Sequence, residues 1–151
     1  MIKALVILII MLTQGAYMDS HNIVNIFTQC NSITVIMDNT HTVFDKNSTE
    51  YTTLLDSLLD ICVDSHEMPA LGVSIDSETR EAIKNNIWIE LTYSNIITYN
   101  DMPFEKLLIE VNPSYNGFNI IRYINDEYTG RCFYLNLNKD MSTLYDTINN
   151  I

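Results

Sequence analysis

Apolar residues recur at helical spacing along the stretch that follows residue 48. The positions that share one helical face lie 3, 4, 7, 8 and 11 residues beyond the first: Tyr51, Leu54, Leu55, Leu58, Leu59 and Cys62. Ser48 or Thr49 can cap the amino end of this helix, where the negative charge of Glu50 is also favourable. The pattern therefore predicts an amphipathic helix that ends near Val63.

Two shorter helices are predicted by the same kinds of signal. Asp76 or Ser77 can cap a helix from Ser77 to Lys84, whose first turn is acidic. The chain closes with a second set of helix-spaced apolar residues: Met141, Leu144, Tyr145, Ile148 and Ile151. These residues predict a final helix within Asp140 to Ile151.

Runs rich in β-branched and aromatic residues predict six strands. Ser32 to Met37 and His41 to Phe44 flank Asp38-Asn39-Thr40, whose residues tolerate the positive φ of a tight turn, so we expect a β-hairpin. In the second half, turn-forming residues separate four further runs, which predict an antiparallel meander: Ile87 to Tyr93, Lys106 to Val111, Phe118 to Ile124 and Cys132 to Leu137.

The element order ββ-α-α-ββββ-α is typical of the α+β class. We predict a two-layer sandwich in which an antiparallel four-stranded meander and an N-terminal hairpin are packed by two to three helices. Alternation along the strands selects the core face: Ile87, Ile89, Leu91, Tyr93, Leu107, Ile109, Val111, Phe118, Ile120, Ile124, Phe133, Leu135 and Leu137. Arg122 is in phase with this set, so we expect it to lie near an edge or to pair with a carboxylate.

The first eighteen residues have the layout of a secretory signal. A lone Lys3 is followed by an apolar run from Ala4 to Leu12 and then by small and polar residues. The run is shorter than the roughly 20 residues that cross a bilayer, so cleavage is favoured over anchoring. We therefore predict a signal peptide or short N-terminal anchor at 1–18, a connector at 19–31 and a single α+β domain at 32–151. The connector could pack as a short helix or lie as a tether.

The charge of the chain limits the classes of partner. Nineteen acidic and eight basic residues give a formal net charge of −11 at pH 7, which repels phosphate backbones and anionic lipids. We therefore expect no nucleic-acid partner, and membrane contact only through the N-terminal segment. A protein or a cell-envelope polymer is the expected partner, and a cationic protein would be attracted. The oligomeric state stays open.

The stretch CVDSHE, residues 62–67, is the densest group of candidate metal ligands in the chain. On a continuous helix, Cys62 and His66 would lie about one turn apart, with Asp64 or Glu67 as a further ligand. Cys62, however, is in phase with the predicted buried leucines, and a helix that ends just after it leaves His66 and Glu67 on an exposed loop. We therefore expect no metal site and no cofactor.

Nucleophilic and hydrolytic sites leave equally weak signals. A thiol of Cys30, Cys62 or Cys132 could pair with a histidine base, but such a pair is spatial and no glycine-rich oxyanion turn accompanies these cysteines. Glu90 and Glu110 share a face of neighbouring strands, as a hydrolytic pair would, but a solvated sheet face explains them better. We assign no catalytic residue, and we expect no disulfide between Cys62 and Cys132 because they fall on opposite sides of the sheet.

The sheet face that points away from the predicted core carries a suggestive group of side chains. It combines the only tryptophan with tyrosines and carboxylates, the usual materials of a recognition surface: Trp88, Glu90, Glu110, Tyr123 and Tyr134. Alternatively, the connector, the hairpin or a second copy of the protein covers this face, because an apolar residue stands on three of its four strands. The sequence leaves both interpretations open.

The run IWIELTYSNIITYNDMPFEKLLIEVNPSYNGFNIIRYINDEYTGRCFYLNL spans Ile87 to Leu137 and is rich in Asn and Ile, as in products of AT-rich genomes. It resembles small uncharacterised exported proteins of low-GC Gram-positive bacteria. The resemblance implies an extracytoplasmic location. It implies no known activity and transfers no functional residue.

We carry three hypotheses of function. The first is a non-catalytic extracytoplasmic binding domain that contacts a protein or polymer through the aromatic sheet face. The second is an acidic inhibitor or immunity-like protein that binds a basic partner. The third, which we favour least, is a small hydrolase that uses a Cys/His or carboxylate pair. In each case we expect the protein to be secreted, or attached to the outer face of the cytoplasmic membrane through its N-terminal segment.

Overall fold

The computed structural model describes residues 22–151, which form four helices and seven strands. In chain order, the helices are α1 (Ile23–Phe27), α2 (Thr49–Ile61), α3 (Ser77–Asn85) and α4 (Ser142–Asn149). The strands are β1 (Ser32–Met37), β2 (Thr40–Asp45), β3 (His66–Gly72), β4 (Ile87–Tyr99), β5 (Met102–Val111), β6 (Gly117–Ile124) and β7 (Glu127–Asn136). The segment predicted to be a signal peptide or anchor lies outside the described residues.

All seven strands form one antiparallel sheet in the order β2-β1-β4-β5-β6-β7-β3. The α+β class is confirmed, but the predicted meander with a separate hairpin is not matched in detail. β1 pairs with β4, with Ile33 opposite Leu91, and this pairing joins the hairpin to the later strands. β3 adds a further strand beyond β7 that the sequence analysis did not predict.

Three connections between neighbouring strands are two-residue turns with left-handed backbone: Asp38-Asn39, Asn100-Asp101 and Asn125-Asp126. The φ angles of these residues lie between 49° and 64°. Asn and Asp tolerate this conformation because their short polar side chains can bond locally, and paired positive φ angles suit the twist of a hairpin. The hairpin predicted around Asp38-Asn39 is therefore confirmed.

The main core lies between one face of the sheet and helices α1, α2 and α4. The predicted core face is confirmed at the centre of the later strands, where its residues are almost fully buried: Ile89, Leu91, Leu107, Ile109, Ile120, Phe133 and Leu135. Helices α2 and α4 contribute a matching set: Leu54, Leu58, Ile61, Leu144 and Ile148. Ser48 caps α2 through a hydrogen bond of 3.1 Å that its Oγ accepts from the backbone N–H of Tyr51.

The opposite face of the sheet is covered by α3, which the predicted two-layer arrangement does not include. A second apolar cluster forms under this helix: Ile36, Trp88, Leu108 and Ile121. Ala82 and Ile83 of α3 pack against the cluster. Covering these side chains removes apolar surface from water, which stabilises the fold. Helices therefore lie on both faces of the sheet.

Residues 22–31 belong to the folded unit rather than to a tether. α1 places Ile23, Ile26 and Phe27 in the main core, and Cys30, just beyond the helix, is fully buried there. Of the two alternatives predicted for the connector, a short packed helix or a tether, the structure contains the helix. The segment packs in this way because its apolar side chains are buried in the main core, which removes them from water.

β3 occupies a segment predicted to be an exposed loop. His66 pairs with Asn136 at the edge of the sheet, and the register shifts between Met68 and Leu71, around Pro69. Proline lacks an N–H donor and is therefore placed at sheet edges and irregularities. Most of β3 is exposed, so its conformation is determined by backbone pairing with β7 rather than by burial of side chains. For the same reason, its sequence lacks the alternation of apolar residues that predicts a strand.

Arg122 is buried in β6 and is satisfied by backbone carbonyls, which corrects the expectation of an edge position or a carboxylate partner. Its Nε donates to the carbonyl of Arg131 at 2.8 Å, and its Nη1 donates to the carbonyl of Pro103 at 2.6 Å. Burial, and secondarily the charge of Arg131, lower the pKa of Arg122. The guanidinium thus links β6 to both of its neighbouring strands, β5 and β7.

Candidate functional site

A cleft of about 530 Å³ lies on the sheet face that carries Trp88. Its sides come from α3 and the segment that precedes it, from the β5–β6 connection, and from strands β4 to β7. Its volume falls within the roughly 300–1,000 Å³ that is usual for small-ligand sites. We refer to it as the Trp88 cleft.

The floor of the Trp88 cleft is apolar and tightly held. Trp88 and Ile121 are each 4% exposed. The indole Nε1 of Trp88 donates a 2.9 Å hydrogen bond to the carbonyl of Ala82 in α3. The indole of Trp88 is therefore buried rather than exposed, because α3 covers the middle of this face.

The rim of the Trp88 cleft carries carboxylates. Asp76 caps α3, and its Oδ1 accepts hydrogen bonds from the backbone N–H groups of Glu78 and Thr79 at 3.0 and 3.1 Å. The hydrogen bond from the backbone N–H of Thr79, followed by one with the side chain of Ser74, holds the pKa of Asp76 below its usual range. Glu78 is exposed, and half-buried Glu110 accepts a 2.6 Å hydrogen bond from Nδ2 of Asn86. The described lining residues include three carboxylates and no Lys, Arg or His.

Two tyrosines, Tyr115 and Tyr134, also line the cleft. Tyr134 of β7 lies so close to Gly117 of β6 that a Cβ at residue 117 would be 2.6 Å from its Oη and 2.9 Å from the carbonyl oxygen of Leu135. Glycine at this position therefore allows the phenol to lie against β6. Tyr115, on the β5–β6 connection, is 39% exposed and lines the mouth.

A separate polar cluster lies on the same sheet face. Glu90 is buried, its Oε1 is 3.1 Å from Nζ of Lys106, and its Oε2 accepts a hydrogen bond from the hydroxyl of Tyr128. Nζ of Lys106 also lies 4.9 Å from the ring centroid of Tyr123, and the rings of Tyr123 and Tyr128 meet edge to face. Both oxygens of Glu90 thus have partners, which indicates a structural role for this carboxylate.

The five residues of the sequence-predicted recognition surface separate into two groups. Trp88, Glu110 and Tyr134 line the cleft. Glu90 and Tyr123 lie in the polar cluster instead. The lining residues that the sequence analysis did not assign to the site include Asp76, Glu78, Thr79 and Tyr115. The capping signal at Asp76 predicts where α3 begins, but it does not indicate which sheet face the helix covers.

Cys62 and His66 lie in different environments. Cys62 is buried in the main core at the carboxyl end of α2, whereas His66 is exposed at the start of β3. Between them Asp64 has a left-handed φ of 57°, so the chain turns instead of continuing the helix. Within residues 22–151 no three or more His, Cys, Asp or Glu side chains are arranged to hold a metal ion.

The three cysteines are free and buried. Burial raises the pKa of Cys62 to about 12. Burial also raises the pKa of the Cys30 and Cys132 thiols and is the largest cause of both shifts. The thiolate is the nucleophilic form of cysteine, so a raised pKa opposes nucleophilic catalysis at neutral pH. Burial therefore disfavours these three thiols as nucleophiles.

Comparison with protein-family models, with curated proteins and with solved structures found no match for this chain. Along residues 22–151, no helix combines the length and apolar character required to span a bilayer.

Proposed function

We propose that the protein is a non-catalytic extracytoplasmic binding protein that engages its partner through the Trp88 cleft. The observation that carries this proposal is the apolar floor of buried Trp88 and Ile121, surrounded by polar and charged side chains at the rim. Binding sites commonly combine apolar contact area with a few polar groups that fix the orientation of the ligand.

The construction of the cleft supports a role in binding. One side rests on paired strands, and the other side is α3, whose first turn is held by the Asp76 cap and whose carbonyl at Ala82 is bonded to Trp88. A site built on regular elements is largely formed before the partner arrives. Less conformational entropy is then lost on binding, which favours affinity.

The remaining candidate groups favour binding over hydrolysis. Both carboxylate oxygens of Glu90 already contact other side chains, those of Lys106 and Tyr128. Glu90 is therefore a poor second acid for a hydrolytic pair with Glu110. Together with the raised pKa values of the buried thiols, this favours the non-enzymatic hypotheses.

A capture experiment with a blocked cleft tests the proposal. Asn119→Phe places a ring at an exposed lining position, and Asn138→Phe adds the same ring at an exposed residue outside the cleft. We expect immobilised wild type and Asn138→Phe to retain the same partner from an envelope extract, and Asn119→Phe to lose it. If Asn119→Phe binds this partner as well as wild type, the cleft is not the binding site.

The salt dependence of capture separates the two non-enzymatic hypotheses. A partner released when the salt concentration is raised would favour the acidic inhibitor or immunity-like protein, because screening weakens attraction between exposed charges. A partner retained at high salt would favour the aromatic contact of the first hypothesis. A cell-envelope polymer is distinguished from a protein by protease treatment of the captured material.

We also propose that the protein acts outside the cytoplasm, secreted or attached to the outer face of the membrane. The charged, apolar and small-residue order of residues 1–18 supports this location. Amino-terminal sequencing of the protein from its native cells tests it. A mature chain that begins near residue 18 supports export, whereas intact Met1 in the soluble cytoplasmic fraction contradicts it.

A further inference from the structure

We propose that the Trp88 cleft receives an arginine side chain of a basic partner protein, an inference that rests on the binding at this cleft proposed above and takes the basic partner of the second hypothesis. The floor is made of buried apolar side chains, including Trp88 and Ile121. The rim carries the carboxylates of Asp76, Glu78 and Glu110. A side chain with an apolar stem and a cationic end matches both features, because its stem can cover the floor while its charge reaches the rim.

The electrostatics of the cleft favour a cation over an anion. A helix amino end can attract an anion through its free N–H groups, but in α3 the N–H groups of Glu78 and Thr79 already donate to Asp76. The described lining residues include no basic side chain that could neutralise the rim. The whole chain has a formal charge of −11, which would also attract a basic protein from a distance.

Arginine fits the side chains of the cleft better than lysine. Its planar guanidinium can stack on an aromatic ring and donate paired hydrogen bonds to a carboxylate, whereas an ammonium group acts as a point charge. Tyr115 and Tyr134 supply rings beside the rim, and Glu110 supplies a carboxylate that is only half-buried. A neutral sugar could stack on the same tyrosines but would leave the three carboxylates without a cationic partner.

Trp88 provides a direct measurement of occupancy because it is the only tryptophan and lies in the floor. Two blocked peptides serve as probes, identical except that one carries arginine and the other carries neutral citrulline. We expect the arginine peptide to change the Trp88 fluorescence saturably and to bind about ten-fold more tightly than the citrulline peptide. A lysine peptide should show intermediate affinity.

Charge variants identify the rim as the cause of this preference. The triple variant combines Asp76→Asn, Glu78→Gln and Glu110→Gln and removes the three negative charges of the rim. Each substitution nearly preserves the shape of the side chain, and Asn still caps the helix. We expect the triple variant to reduce the affinity for the arginine peptide about ten-fold. Glu81→Gln removes one charge from α3 outside the cleft and should leave the affinity within about two-fold of wild type.

Several results would overturn the inference. Equal affinity for the arginine and citrulline peptides, no saturable change in fluorescence, or an equal loss in Glu81→Gln would each do so. Capture with Asn119→Phe distinguishes a failure of the arginine inference from a failure of the proposed binding at the cleft. If that variant loses the captured partner while wild type shows no arginine preference, the cleft binds a partner of other chemistry. Ser74→Phe, at a second exposed lining position, replaces Asn119→Phe if the latter does not fold.

Discussion

Trp88 connects α3 to the sheet. Its ring belongs to the apolar cluster under the helix, and its indole N–H donates to the carbonyl of Ala82. Truncating a buried tryptophan removes many packing contacts and leaves a cavity. We therefore expect Trp88→Ala to lower the free energy of unfolding by about 3–5 kcal/mol, as measured by denaturant unfolding.

Two variants control the Trp88 experiment. Trp88→Phe keeps an aromatic ring and should cost only about 1–2 kcal/mol, from the lost hydrogen bond and the smaller volume. Ile96→Ala truncates a side chain that is 59% exposed and should stay within about 0.5 kcal/mol of wild type. A cost for Trp88→Ala no larger than that for Ile96→Ala would contradict the burial of the indole.

At the scale of elements, the connection from β3 to α3 positions one side of the cleft against β7. The N–H of Val73 donates to the carbonyl of Gly130 at 2.6 Å, and a Cβ at residue 130 would lie 2.6 Å from the carbonyl oxygen of Val73. Backbone must then move to admit any side chain at this position. We expect Gly130→Ala to lower the free energy of unfolding by about 1–3 kcal/mol in denaturant titrations.

Gly72 provides a matched control for Gly130. It lies in β3 near the same strand pair, but a Cβ built there meets no atom within 4 Å. Gly72→Ala should therefore change the free energy of unfolding by less than about 0.5 kcal/mol. Equal effects of the two substitutions would mean that the close approach at Val73 does not constrain the connection.

The elements that the sequence predicted correctly are those whose conformation is determined by residues close to them in the chain. The stripe of α2 with its Ser48 cap, the Asp38-Asn39 turn and the alternation of the later strands each depend on neighbouring residues, and the structure contains all of them. β3 has no such local cause, because HEMPALG contains Pro69, lacks alternation and is fixed by pairing with β7. The face covered by α3 also depends on distant contacts, so the helix side of the cleft could not be predicted.

For the candidate site, the alternation along the strands predicted which sheet face a residue lies on, but it did not predict whether that residue is buried. Phase correctly grouped Trp88, Glu110 and Tyr134 on one sheet face, and all three line the cleft. Exposure requires knowledge of what packs above the sheet, and only the apolar residues on that face indicated a cover. Trp88, Leu108 and Ile121 are those residues, and in the structure Ile36 joins their cluster.

At the scale of the whole molecule, buried phenols make the fold sensitive to alkaline pH. Burial raises the pKa of Tyr51, Tyr93 and Tyr128 above the ordinary range near 10. Burial, followed by the hydrogen bond to Glu67, raises the pKa of Tyr99 to about 12. In each case the folded state binds the phenolic proton more tightly than the unfolded state does.

Stability from a raised pKa is fully present below the unfolded pKa and is lost as the pH rises through the folded pKa. For Tyr99 this window extends from about pH 10 to about 12. We expect the midpoint of thermal unfolding to fall across this range, and phenolate absorbance to rise with unfolding. Tyr99→Phe should show a smaller fall than wild type, and Tyr115→Phe, at a 39% exposed residue, should match wild type. Titration of every tyrosine near pH 10 in the folded protein would contradict the buried phenols.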